Sequence, residues 1–243
     1  MRKFVRAVLT TALVTSLPTL AGAASLQVSP VTVEIPAPGA TAMIKLRNDA
    51  AAPLNVQLRV FRWTQENGEE KLEPTNDVVA SPPVARLPAK SEHVVRLVRL
   101  NKQPITKGES YRLLVDELPD PSRNKNRVVA MVLRYSIPVF FYPTDLEGAK
   151  LIWSVSHHLG RVVVSARNDG DRHVRLANLR IHTSDGTSIS FGNGLTGYVL
   201  VHSTMRWTTP GNNNRIGASS SVTITAQGDS GPISASTVMQ SAR

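Results

Sequence analysis

From Leu26 to Ala226 the chain repeats one pattern: short stretches of alternating or β-branched residues, broken by Pro, Gly, Asn and Asp. Successive side chains of a strand face opposite ways, so period-two patterning without a 3.6-residue period dictates a sheet protein. The expected strands of the first half are Leu26 to Val33, Thr41 to Asn48, Leu54 to Thr64, Glu92 to Leu100, Ser110 to Glu117 and Arg127 to Phe141. Turn signals separate them at Pro36-Ala37-Pro38-Gly39, Asn48-Asp49, Asn67-Gly68, Ser81-Pro82-Pro83 and Pro119-Asp120-Pro121. Strands of this length, with turns at this spacing, predict an antiparallel immunoglobulin-like sandwich.

The pattern resets near Tyr142-Pro143-Thr144-Asp145. Beyond it, strands are expected at Ala149 to His157, Arg161 to Arg167, His173 to His182, Thr187 to Phe191, Gly197 to Arg206 and Ser221 to Ala226. Gly192-Asn193-Gly194 reads as a hairpin turn, Thr208 to Gly217 as a loop, and the stretch after Gly228 as a weak final strand. No tandem repeat is visible. The fold class expected is all-β: two immunoglobulin-like sandwiches, residues 24–143 and 144–243, joined by a short hinge. Trp153 and Trp207 are expected in the second core.

Residues 1–23 read as an export signal. Arg2, Lys3 and Arg6 precede an apolar stretch from Ala7 to Leu20, and Ala21-Gly22-Ala23 supplies a small-x-small cleavage pattern. No later apolar run approaches the ~20 residues of a membrane-spanning helix, so no membrane insertion of the mature chain is expected. Loss of three basic residues and no acidic ones lowers the formal charge from +10 to +7. An exported chain without zinc-finger or helix-turn-helix spacing has little use for nucleic acid, so the excess suits acidic partners or carboxylates.

Cysteine is absent, which removes disulfides, thiolate nucleophiles and thiolate metal sites. Adjacent His157 and His158 would point to opposite faces of a strand, poor geometry for one metal. Asp116 and Glu117 diverge for the same reason and make no acid pair for glycoside hydrolysis. No nucleophile elbow, zincin helix or phosphate loop is present. Neither a catalytic site, a metal nor a cofactor is expected.

The run Val128-Val129-Ala130-Met131-Val132-Leu133 contains no polar residue, and Pro138 follows it on the same expected strand. Proline cannot donate to a ladder, which points to a sheet edge at that end. Long apolar edges are normally avoided because they template pairing with other chains. Val129, Met131 and Leu133 share one side and Val128, Ala130 and Val132 the other. One row would fill the domain's own core while the other entered a partner's groove; an ordinary buried strand is the alternative.

Three stretches carry a family resemblance: Asp77 to Leu87 followed by Val94-Val95-Arg96-Leu97, Glu109 to Pro119, and the strand ending Phe140-Phe141-Tyr142-Pro143. In this order and spacing they resemble the PapD-like periplasmic pilus-assembly chaperones, and most closely the archaic branch that serves spore-coat-U-like pili. The resemblance implies donor-strand complementation, in which the chaperone lends a strand to a pilin lacking its own. It implies that Val129, Met131 and Leu133 insert into the pilin groove. Pilin subunits and an outer-membrane usher are the partners implied, with a resting homodimer as a further expectation. A pilus subunit or adhesin of the same system is the competing reading.

Members of the best-known branch anchor the pilin carboxylate with an Arg in the first strand and a Lys near the end of the donor strand. Here Pro30 to Thr32 offers no Arg, and Pro138 stands at the second position. If Ser110 to Glu117 and Arg127 to Ser136 pair across a short turn, Arg112 falls within one or two positions of Arg134. Two guanidiniums that close would suit a carboxylate, so Arg112 and Arg134 are the expected anchor. Glu109 matches the acidic member of the family's inter-domain ion network, whereas Tyr142 stands where an Arg is expected.

Overall fold

The computed structural model describes residues 26–119, 132–145, 147–209 and 220–240. Its first ten strands are β1 (Leu26–Ser29), β2 (Val33–Pro36), β3 (Thr41–Asn48), β4 (Leu54–Glu66), β5 (Glu69–Pro74), β6 (Val78–Ser81), β7 (Val84–Leu87), β8 (Glu92–Arg99), β9 (Glu109–Leu118) and β10 (Arg134–Tyr142). One layer has the order β1-β3-β8-β6; the other runs β2-β10-β9-β4-β5, with β7 also on β4. Inward rows, including Leu26, Ile44, Leu46, Leu97, Leu113 and Phe141, fill the space between the layers and are sealed from solvent.

Eight strands follow: β11 (Leu151–His158), β12 (Arg161–Asn168), β13 (Val174–Thr183), β14 (Ser188–Ser190), β15 (Leu195–Val199), β16 (Thr204–Thr208), β17 (Ser221–Gly228) and β18 (Gly231–Gln240). They form a second sandwich. β18 pairs with β17 from Gly231 to Val238, then meets β11 at Met239 and Gln240, which ties one layer to the other. Trp153 and Trp207 pack against this second core, as expected. The two-sandwich, all-β architecture is the one the patterning predicts.

Several details differ, each for a local reason. The expected strand Leu26 to Val33 breaks at Pro30, so β1 joins β3 in one layer while β2 runs parallel to β10 in the other. Short β5, β6 and β7 were hidden by the Pro and charged residues around them. The expected strand Gly197 to Arg206 is two strands, because the chain turns at His202 (φ 51°). Gly192 to Gly194 does not close a hairpin: β14 and β15 lie end to end along β13, and Gly194 bonds both ways with Asn178. The final strand spans ten residues and is long. Most of the expected loop Thr208 to Gly217 lies outside the described residues.

A repeat unseen in the sequence emerges at the ends of β3 and β12. Arg47-Asn48-Asp49 and Arg167-Asn168-Asp169 occupy matching places in the two sandwiches. Asn48 and Asn168 are fully buried. Asn48 donates to the carbonyls of Ala52 (2.9 Å), Leu87 (3.2 Å) and Pro88 (2.9 Å); Asn168 donates to those of Arg172 (2.6 Å) and Val199 (3.4 Å). Each Arg closes an ion pair on its Asp at 2.8 and 2.9 Å. Three residues of identity are too few to register against a background of β patterning.

Candidate functional site

β10 covers the later part of the strand expected from Arg127 to Phe141. Tyr135, Ile137, Val139 and Phe141 point into the first core, and Leu133 starts the same row, half-buried against it. The Leu133 carbonyl accepts from the Glu117 amide at 2.9 Å, so odd-numbered residues turn their hydrogen bonds toward β9. Even-numbered residues turn theirs the other way: the Tyr142 carbonyl accepts from the Ala37 amide at 2.8 Å, beyond β2. β2, however, covers β10 only from Val139 to Tyr142. Among the described residues, no strand pairs with that edge between Arg134 and Pro138. Pro138 therefore lacks its N–H where β10 has no neighbour to receive one.

The expectation that the two rows divide cleanly between core and partner needs correction at Leu133, whose row is the core row. On the opposite row Val132 is 48% exposed. Val129 and Met131, the other expected donor residues, lie outside the described residues.

The expected pairing of Arg112 with Arg134 is not formed. In the register of β9 and β10, Arg134 stands opposite Asp116 and Arg112 opposite Pro138, so the two are about 13 Å apart along the strands. The register that β9 and β10 adopt differs by four residues from the one a short turn predicts, because register belongs to the strand pair and not to either strand alone. Arg134, 62% exposed, ion-pairs through Nε with Asp116 Oδ1, while Arg59 Nη2 holds Asp116 Oδ2 at 2.7 Å. Burial alone would raise the Asp116 carboxyl, but the hydrogen bonds from Arg134 and Arg59 outweigh it and hold its pKa below the ordinary range. A cavity of about 350 Å³ opens here, lined by Gln57, Arg59, Asp116, Val132, Leu133 and Arg134. Arg59 carried no signal in the sequence: it becomes part of the site only because β4 lies beside β9.

Arg112 belongs to the junction between the sandwiches. Its guanidinium sits 3.6 Å from the centre of the Trp63 ring and 5.2 Å from that of Tyr198, with Glu70 at 3.8 Å and only 11% of the side chain exposed. Trp63, Phe140, Tyr198 and Leu200 form a buried cluster across the junction. Gln65 bridges it as well, donating to the Tyr198 carbonyl (2.8 Å) and accepting from the Leu200 amide (2.9 Å). The missed signal was on β4, where Trp63 and Gln65 occupy the row opposite the core row of Leu54, Val56 and Leu58.

The ion network also differs from expectation. Glu109 is held inside the first sandwich by Arg99 Nε and Nη2 at 2.9 and 2.7 Å. The junction instead uses Arg172, which meets Glu34 at 3.3 Å and lies 4.6 Å from the centre of the Tyr142 ring.

His173 stacks on Phe140 with ring centres 3.4 Å apart. Burial pushes its pKa down to about 4; Asp229 and Arg172 act in opposite senses and do not reverse this. The 3.8 Å approach of His173 to Glu34 is thus no ion pair at neutral pH. An unfolded histidine titrates near ~6.5. Stability from the neutral ring is complete above that pH and falls away toward pH 4, by at most roughly 3 kcal/mol. Urea unfolding at neutral and acidic pH should show a larger acid loss for the native chain than for His173→Gln; equal losses would acquit His173.

Comparison with curated protein sequences gives no match. Among solved structures, a chain of the CsuC-CsuE chaperone-tip adhesion subunit pre-assembly complex, from the archaic chaperone-usher Csu pili of Acinetobacter baumannii, is 26% identical. The similarity covers 90% of this chain and 100% of that one, with a TM-score of 0.68. The YadV chaperone is 20% identical, over 88% and 100% of the two chains, at a TM-score of 0.63. A chain of the Salmonella enterica SafA pilin–SafB chaperone complex is 18% identical over 87% and 95%, at 0.59. The last two bear on the fold alone. The family model described as pili and flagellar-assembly chaperone, PapD N-terminal domain, matches residues 25–147, just over half of the chain. With both sandwiches accounted for and that match across the first, the chain belongs to the family of PapD-like pilus-assembly chaperones.

Proposed function

We propose that this chaperone works in the periplasm, reached through the signal at residues 1–23, and holds pilus subunits by donor-strand complementation. The first unit, residues 24–143, binds the subunit; the second, 144–243, is set against it by the aromatic junction. The observation that carries this reading is the edge of β10 from Arg134 to Pro138, which no described strand covers. The apolar run Val128 to Leu133 leads directly into it.

On this reading Val129, Met131 and Leu133 enter the groove of a subunit that lacks a strand. Leu133 already lies at the rim of the chaperone's own core, so an incoming domain extends that core. Burying a side chain of this size contributes ~1.5–3 kcal/mol, so three of them retain a subunit with no chemical step. The CsuC-CsuE and SafA–SafB complexes pair a chaperone with a subunit, which supports the choice of partner. Delivery to an outer-membrane usher completes the proposed role. The subunit's terminal carboxylate is anchored by Arg134, while Arg112 is engaged at the junction.

Co-expression of the exported chain with a pilin from the same operon tests the proposal. A soluble one-to-one complex is the expected product. A polymer of this chain alone would favour the pilus-subunit reading, and recovery of the two proteins apart would refute capture.

A further inference from the structure

Among the described residues, the cavity at the start of β10 holds two guanidiniums, and Asp116 is the one carboxylate in ion-pair contact with them, although Glu117 also lines it. Asp116 is nearly buried and fixed in β9, with one oxygen on Arg59 and the other on Arg134. Arg59 reaches it from the neighbouring strand β4, and Arg134 from the opposite side on β10. Arg134 is the more exposed of the two arginines and flanks the open edge, next to Leu133.

We propose that Asp116 parks Arg134 in the unloaded chaperone, and that an incoming terminal carboxylate takes Arg134 over while Arg59 keeps Asp116 paired. This rests on the strand-lending reading and adds to it an exchange of ion pairs. An arginine fork can leave one carboxylate for another without loss of charge pairing, provided the first retains a partner. A buried carboxylate left alone would cost several kcal/mol, so Arg59 is what makes the exchange feasible. Release is local: the guanidinium of Arg134 moves, and the backbone of β10 does not. The parked state also sets a threshold, because a ligand without a free carboxylate cannot compete for the fork.

The test uses two peptides of the final strand of the captured subunit, one ending in a free acid and one in an amide. Calorimetry gives the ratio of their affinities for the native chain and for the variants. The native ratio should favour the acid. Asp116→Asn, which keeps shape and one acceptor, should raise the ratio about tenfold, the factor that one charge-assisted hydrogen bond commands. Arg59→Ala should lower it, because Asp116 then holds Arg134 alone, and Arg134→Gln should bring it to unity. Opposite movements for Asp116→Asn and Arg59→Ala that persist in high salt separate exchange from a general field, which salt screens. Equal binding of acid and amide by the native chain would overturn the inference and leave strand lending intact. A fall in the ratio for Asp116→Asn would overturn it too. If neither peptide binds while the co-expressed complex still forms, the inference fails and strand lending stands; if the complex is lost as well, both fall.

Discussion

Met131→Glu is expected to abolish recovery of the chaperone–subunit complex while the free chain folds normally. Two effects add: the apolar contribution of the side chain, ~1.5–3 kcal/mol, is lost, and a carboxylate must enter an apolar groove without a partner. A weakening of at least about a hundredfold follows, since every ~1.4 kcal/mol is a factor of ten. Ala130→Glu is the control. By strand alternation Ala130 falls in the other row, so the same charge one residue away should leave capture within a few-fold of native. Co-purification and calorimetry on the two variants read the parity directly. Similar losses for both would mean that the segment is disrupted as a whole and that no row is inserted.

Glu109→Ala should destabilise the first sandwich by about 3–5 kcal/mol, the usual consequence of stranding one member of a buried ion pair. Only 5% of the Arg99 side chain is exposed. Its guanidinium spends two donors on Glu109 and its remaining nitrogen on the carbonyls of Asn101 and Gln103. Burial would raise the Glu109 carboxyl, yet hydrogen bonds from Arg99 and Tyr111 keep it below its ordinary value. Tyr111→Phe removes its bond to Glu109, at 3.0 Å, and the one its hydroxyl accepts from Arg62, at 3.1 Å, and should cost only about 1–2 kcal/mol. Urea titration of both variants checks the order. A midpoint for Glu109→Ala close to that of Tyr111→Phe would show that Arg99 finds water or another acceptor.

What the sequence disclosed and what it withheld divide along physical lines. Alternation is local, so both sandwiches and most long strands were legible in runs such as Thr41–Asn48 and Arg161–Asn168. The break at Pro30 was harder: the residues on either side both suit strands, and only pairing with β3 or β10 decides the layer. Register is a property of two strands and the turn between them. Arg134 is visible in the sequence as the charge that ends the apolar run, but only the register shows that it faces Asp116 and not Arg112. Residues that act across elements were the least visible. Arg59 and Asp116 are 57 positions apart, and Gln65 and Tyr198 are 133 apart.

Amide hydrogen exchange at Arg134 and Ser136 tests the central claim most directly. In the free chain these two N–H groups point to the edge of β10 that no described strand covers, and they should exchange quickly. In the subunit complex an added strand accepts from them, and exchange should slow by more than about tenfold. Unchanged rates at both positions in a stable complex would contradict strand lending, whatever else holds the two proteins together.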